Sequence, residues 1–176
     1  PKKDLTLITT VVKVPEVLVV HPGVPAKNLT ELVAYAKANP GKINHGSTGS
    51  GSITHLALEL FKSEAKVDIV HVSYKGAAPA VTDLIGGQVQ MGIYDVPVVL
   101  PHIKSGALRA LAVTSGVRSN ALPDVPSTVE MKLPNVISDN WYGLVGPQGM
   151  PAEVVRRVNA AAVQALKTPQ LVEQYN

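Results

Sequence analysis

The densest chemistry in the chain lies in Gly46-Ser47-Thr48-Gly49-Ser50-Gly51-Ser52, between a short apolar run and a helix-like stretch. Three glycines allow a guest to approach the backbone, and four hydroxyls can donate to it. A helix that starts here leaves its first amides without intrahelical partners. Oriented amides and the helix dipole together attract anions. The same residues also read as a flexible loop ending in an ordinary serine cap. The loop lacks the lysine of a triphosphate-binding P-loop, and its glycines are not spaced as in the dinucleotide fingerprint.

Two further junctions carry suitable groups. In Ser73-Tyr74-Lys75-Gly76, a phenol and an ammonium could donate to a carboxylate where another helix begins. The alternative is a packed Tyr74 beside a solvated Lys75. At Tyr94-Asp95, the carboxylate either caps the helix that follows or faces a cleft and selects ligands with an amine or hydroxyl. Enzyme chemistry finds less support. Ser50 or Ser52 with His55 could suggest a nucleophile, but no G-x-S-x-G elbow is present and no acid is placed to orient the histidine. His21, His45, His71 and His102 are dispersed without metal-ligand spacing. Catalytic residues, metals and cofactors are therefore not expected.

The elements that must hold these junctions follow from hydrophobic period. Leu5 to Val12 and Val17 to Val20 read as two strands. Asn28 caps a helix with Glu31 as its capping-box partner, and Pro40-Gly41 stops it. Strands at Ile43 to His45, Ile69 to Ser73, Val89 to Tyr94 and Leu108 to Thr114 alternate with helices that begin near Ile53, Gly76 and Asp95. This alternation predicts a mainly parallel sheet flanked by helices, an α/β fold. Residues 116 to 135 hold Pro123, Pro126 and Pro134 and read as a connection with one short helix near Ser127 to Met131. Val136 to Val145 is a strand candidate. Pro151 opens an amphipathic helix whose apolar stripe includes Val154, Val155, Val158, Ala162 and Leu166.

Composition fits that picture. Hydrophobic residues make up 45% of the 176 positions and charged residues 16%, which supports a real core and argues against disorder. The formal charge of +3 is scattered and forms no nucleic-acid arm. No cysteine is present, so thiolate catalysis and Cys-type metal sites are excluded. No apolar stretch reaches the length of a membrane span, and no signal peptide opens the chain. Its start at Pro1 is that expected of a processed or truncated product.

Taken in order, VLVVHPGVPAKNLTELVAYAKANPGKINHGSTGSGSITHLALELFK, VHVSYKGAAPAVTDLIGGQVQMGIYD, LPHIKSGALRALAVTSGVRSNALPDVPSTVEM and NWYGLVGPQGMPAEVVRRVNAA resemble the Bug/TctC solute receptors of tripartite tricarboxylate transporters. The resemblance implies a type II periplasmic binding protein whose lobes hold a di- or tricarboxylate or an acidic amino acid between them. It implies a periplasmic receptor, not an enzyme, with the transporter's membrane components as partners and no nucleic acid or direct membrane insertion. By the same likeness Ser47, Thr48, Gly49, Ser50 and Ser52 supply the anion grip, and Tyr74, Lys75, Gly76 and Asp95 line the second lobe. Residues 16–137 correspond to lobe two. Residues 1–15 and 138–176 correspond to part of lobe one with the interlobe crossover strands, so that lobe is expected to be incomplete. The alternative is the effector-binding domain of a regulator, or an enzyme domain of similar α/β architecture.

Overall fold

The computed structural model describes residues 3–175. Strand β1 (Leu5–Val20) is followed by α1 (Leu29–Ala38), β2 (Asn44–Ser47), α2 (Ile53–Ala65), β3 (Val70–Ser73) and α3 (Ala77–Ile85). Then come β4 (Met91–Asp95), α4 (Val96–Lys104), β5 (Arg109–Val113), β6 (Asp139–Pro147), α5 (Ala152–Leu166) and α6 (Pro169–Tyr175). Residues 15–140 form one compact unit; residues 1–14 and 141–176 form another.

The sheet order is β3-β2-β4-β1-β5, with β6 paired to β1. Strand β2 runs parallel to β3 and β4, as the βα alternation predicts. Strand β1 runs antiparallel to β4 and β5, so the sheet is mixed. Periodicity reports which residues face a core but not strand direction, and the expectation of a mainly parallel sheet is corrected at this strand. The two strands expected at Leu5–Val12 and Val17–Val20 are one. Pro15 sits where β1 changes partners, just before the β4 ladder begins at Glu16, so its missing N–H removes no bond from that ladder.

The 15–140 unit has a core on each face of the sheet. Leu18 and Val20 point to one side, where they pack with Leu29 and Leu32 of α1 and Leu58 and Phe61 of α2. Val17 and Val19 point to the other, against Val81 and Leu84 of α3 and Val99 of α4. All four are fully buried. Each contributes about 1.5–3 kcal/mol of hydrophobic burial, and their alternation locks the register of β1. In α1, Asn28 accepts the Glu31 amide at 2.9 Å, and Glu31 reaches back to the Lys27 amide at 2.7 Å.

The segment expected as a short helix at Ser127–Met131 is a single turn. Ser127 and Glu130 exchange the side-chain-to-backbone bonds of a capping box at 3.2 and 2.8 Å. The backbone then enters the left-handed region at Lys132, with φ of 63°, and Pro134 follows, so no second turn forms. In the other unit, Asn159 of α5 donates to the carbonyl of Ile8 in β1 at 2.7 Å. The apolar stripe of α5 contains no buried residue.

Candidate functional site

The carboxyl ends of β2 and β4 adjoin one another, and the chain leaves β2 for α2 on one face of the sheet and β4 for α4 on the other. This is the crevice in which open α/β sheets bind ligands. A recess of about 70 Å³ lies there, lined by Thr48, Ile53, Thr54, Ala77, Tyr94, Asp95, Val98 and Asn140.

The glycine–serine loop between β2 and α2 is tied mainly to itself. Ser52 caps α2 and donates to the Gly49 carbonyl at 2.6 Å. The amides of Thr48 and Gly51 are taken by Thr54 Oγ1 at 2.9 Å and His55 Nδ1 at 3.0 Å. The Gly49 amide donates to Ser47 Oγ at 3.2 Å, and the Ser52 amide to the Gly49 carbonyl at 3.2 Å. Ser47 is fully buried and its Oγ lies 2.6 Å from His71 Nε2. These amides, and the hydroxyls of Ser47 and Ser52, are spent on the shape of the loop. Ser50 is exposed and donates to Ser73 Oγ at 3.3 Å.

The other groups at the recess belong to helix starts. Ile53 and Thr54 belong to the first turn of α2, Ala77 opens α3 and Val98 lies in the first turn of α4. First-turn amides have no intrahelical acceptor, and each helix start carries about half a positive charge. Three such starts converge on the recess. Gly76 makes the approach of α3 possible. Its φ of 116° is a conformation that side chains rarely adopt, and its amide donates to the Thr48 carbonyl at 3.1 Å, joining the α3 entry to the β2 loop.

Tyr94 braces the floor. Its hydroxyl donates to the Gly46 carbonyl at 2.7 Å, and burial pushes its ionisation well above the ordinary tyrosine range. A side chain at Gly46 would crowd this hydroxyl, Val89 and Tyr74. His45 is fully buried beneath the loop, and its Nε2 accepts the Ile93 amide at 3.2 Å. Burial, and then the neighbouring His71, push its pKa down to about 3, so it is neutral at physiological pH. The rings of His55 and His71 stack at 3.9 Å. Desolvation and, next, His55 lower the pKa of His71.

Asp95 sits at the cap position of α4 but makes no capping bond with its side chain. Its Oδ2 accepts from Asn140 Nδ2 at 3.1 Å, and both residues line the recess. Of the residues singled out from sequence, Thr48 and Asp95 reach the wall of the recess. Ser47, Gly49, Ser52 and Gly76 build its support. Tyr74 is turned to Asp83, to which it donates at 2.7 Å. Desolvation and this bond raise its pKa to about 12. Lys75 is exposed and does not line the recess. Sequence reasoning passed over Ile53, Thr54, Ala77, Val98 and Asn140. The first four were legible as first-turn positions of helices that follow strands. Asn140 carries no local signal.

A family model described as "Tripartite tricarboxylate transporter family receptor" (TctC) matches residues 1–176. Protein BugT of Bordetella pertussis is 37% identical over 173 residues, which are 98% of this chain and 53% of BugT. An R. palustris protein solved with adipate superposes with a TM-score of 0.91 at 32% identity, covering 99% of this chain and 58% of its own. MatC from Rhodopseudomonas palustris with bound malate gives 0.84 at 28% identity, covering 95% and 57%. The chain thus spans little more than half the length of these relatives.

Proposed function

The chain belongs to the TctC family of tripartite tricarboxylate transporter receptors, and from that premise we propose that it is the ligand-holding part of a periplasmic receptor for a small carboxylate. The observation that carries this reading is the convergence of three helix starts, at Thr54, Ala77 and Val98, on one recess. A carboxylate placed there accepts from first-turn amides whose bonds are charge-assisted. Such bonds contribute about 1.5–3 kcal/mol each, and the helix dipoles add roughly 0.3–1 kcal/mol apiece. Thr48 and Thr54, whose hydroxyls bond each other at 3.1 Å, complete its polar wall. The similarity to proteins solved with adipate and with malate supports a dicarboxylate-sized acid.

No chemistry is asked of the site. The receptor captures the acid, and its ligand-bound form is the one that the membrane components of the transporter recognise, a shift of population driven by differential affinity. Among the described residues no helix is long and apolar enough to cross a membrane. The reading is tested by calorimetry and thermal shift on the chain with adipate, malate, succinate and citrate, against glucose and other uncharged metabolites. Selective stabilisation by one or more acids is expected, because a ligand that binds only the folded state raises its stability by mass action. Stabilisation by uncharged compounds alone, or by none of the acids, would overturn it.

A further inference from the structure

One buried group plays no part in the anion site as described. Glu16 is fully buried, and among the described residues neither of its carboxylate oxygens meets a hydrogen-bond donor. It is in direct register with Asp95 across the β1–β4 pair, so the two side chains stand on the same face of the sheet. Directly opposed residues in such a pair hold their Cβ atoms roughly 5 Å apart. Thr114, on the β5 side, spends its amide and hydroxyl on the main-chain carbonyl of Glu16, at 2.9 and 3.0 Å, and leaves the carboxyl alone. The charges that bear on Glu16 are Asp95 from β4 and Asp139 from β6, and no cation is among them. Burial, then Asp95 and Asp139, raise its pKa to about 8, so it keeps its proton at neutral pH.

A carboxyl in that position stabilises nothing in the fold. Burying it without a donor is costly, and opposite a second carboxylate it can ionise only against repulsion. The recess therefore combines two chemistries. Helix starts favour a negative group near Thr54, Ala77 and Val98, while the Asp95 wall, backed by Glu16, favours a positive one. We infer that Glu16, acting through Asp95, makes this recess select carboxylates that also carry an ammonium group, and that Glu16 gives up its proton when such a ligand binds. The inference rests on the carboxylate-receptor reading and narrows its substrate class. The ammonium bonds to Asp95 and its field replaces the missing cation beside Glu16. The proton passes to the buffer, and the complex gains one negative charge on Glu16 to match the incoming positive one. A metal ion is a poor alternative occupant, since among the described residues no three His, Asp or Glu side chains are arranged to hold one. Glu16 is thus a specificity-determining residue that touches the ligand only through Asp95.

The test pairs acids that differ at one group: malate with aspartate, and adipate with 2-aminoadipate. Titration calorimetry at pH 7 and 8.5, in two buffers of different ionisation enthalpy, reads affinity and proton release together. The amino acids are expected to bind more tightly than their partners and to release about one proton at pH 7. Their affinity is expected to rise roughly eightfold by pH 8.5, as Glu16 no longer has to be deprotonated on binding, while that of malate and adipate falls. Glu16→Gln, which is close in shape, is expected to abolish the buffer-dependent heat and the pH slope. A loss of packing alone would produce neither effect. Binding of malate or adipate with no preference for the amino partner, or a proton release that persists in E16Q, overturns this inference and leaves the receptor reading intact. If none of the four acids binds, both fall.

Discussion

Replacing Glu16 by Gln should stabilise the free protein, and by an amount that depends on pH. An acid whose folded pKa lies above its unfolded value holds its proton longer in the folded state. As pH rises past the unfolded value, the unfolded chain sheds the proton first, and folding loses ground until the folded pKa is passed. For Glu16 that window runs from 4.5 to about 8. Each unit of separation corresponds to about 1.4 kcal/mol, which sets a ceiling of roughly 5 kcal/mol above pH 8 and roughly 3 kcal/mol at pH 7. Local relaxation around the Glu16–Asp95 pair reduces this, and we expect a gain of about 2–4 kcal/mol for E16Q at pH 8.5. Below pH 4.5 both side chains are neutral, and the gain should nearly vanish. Urea unfolding followed by far-ultraviolet circular dichroism at pH 4.5, 6.5 and 8.5 measures the difference at each pH, with unchanged slopes confirming that the denatured state is the same. His45 and every other titrating group are common to both proteins and cancel. A difference that stays constant across the three pH values, or an E16Q protein less stable than wild type at pH 8.5, would refute the reasoning.

Further outcomes follow from the same site. Tyr94→Phe removes the buried bond to the Gly46 carbonyl and should cost about 1–3 kcal/mol in urea unfolding, with weaker carboxylate binding because the end of β2 loses its brace. Ser52→Ala removes the cap of α2 and the bond to Gly49; a loss of roughly 0.5–2 kcal/mol is expected, together with reduced affinity for any acid the wild type binds. His45 acts in the opposite pH direction to Glu16. Its folded pKa of about 3 lies below the ordinary 6.5, so stability should fall as pH drops from 6.5 toward 3 while the unfolded chain takes up the proton first. His45→Gln should flatten that acid limb, and an acid limb unchanged in the variant would assign the loss elsewhere.

The amino-acid order alone determined most of the helices, the caps of α1 and α2, and the faces those two helices bury. Asn28 with Glu31, the glycine–serine run before Ile53 and the Pro40-Gly41 stop are local signals, because the bonds that satisfy a helix end reach only three or four residues. The βα alternation was equally legible, and with it the carboxyl strand ends where the recess lies. The family likeness, too, was readable from ordered motifs.

Only the tertiary structure decided strand direction and the company Glu16 keeps. The run Val17 to Val20 has the same period whichever way it points, and its insertion against β4 and β5 depends on contacts more than 70 residues away in sequence. That one choice sets Glu16 beside Asp95. Asn140 reaches the Asp95 carboxylate from 45 residues along the chain. The loop residues with the richest chemistry, Ser47 and Ser52, turned their hydroxyls inward, and it is plain first-turn positions such as Ile53 and Ala77 that line the recess. A backbone amide is the same group in every residue but proline, so the sequence cannot mark which amides will be left to meet a ligand. Their placement is fixed when the helices pack on the sheet.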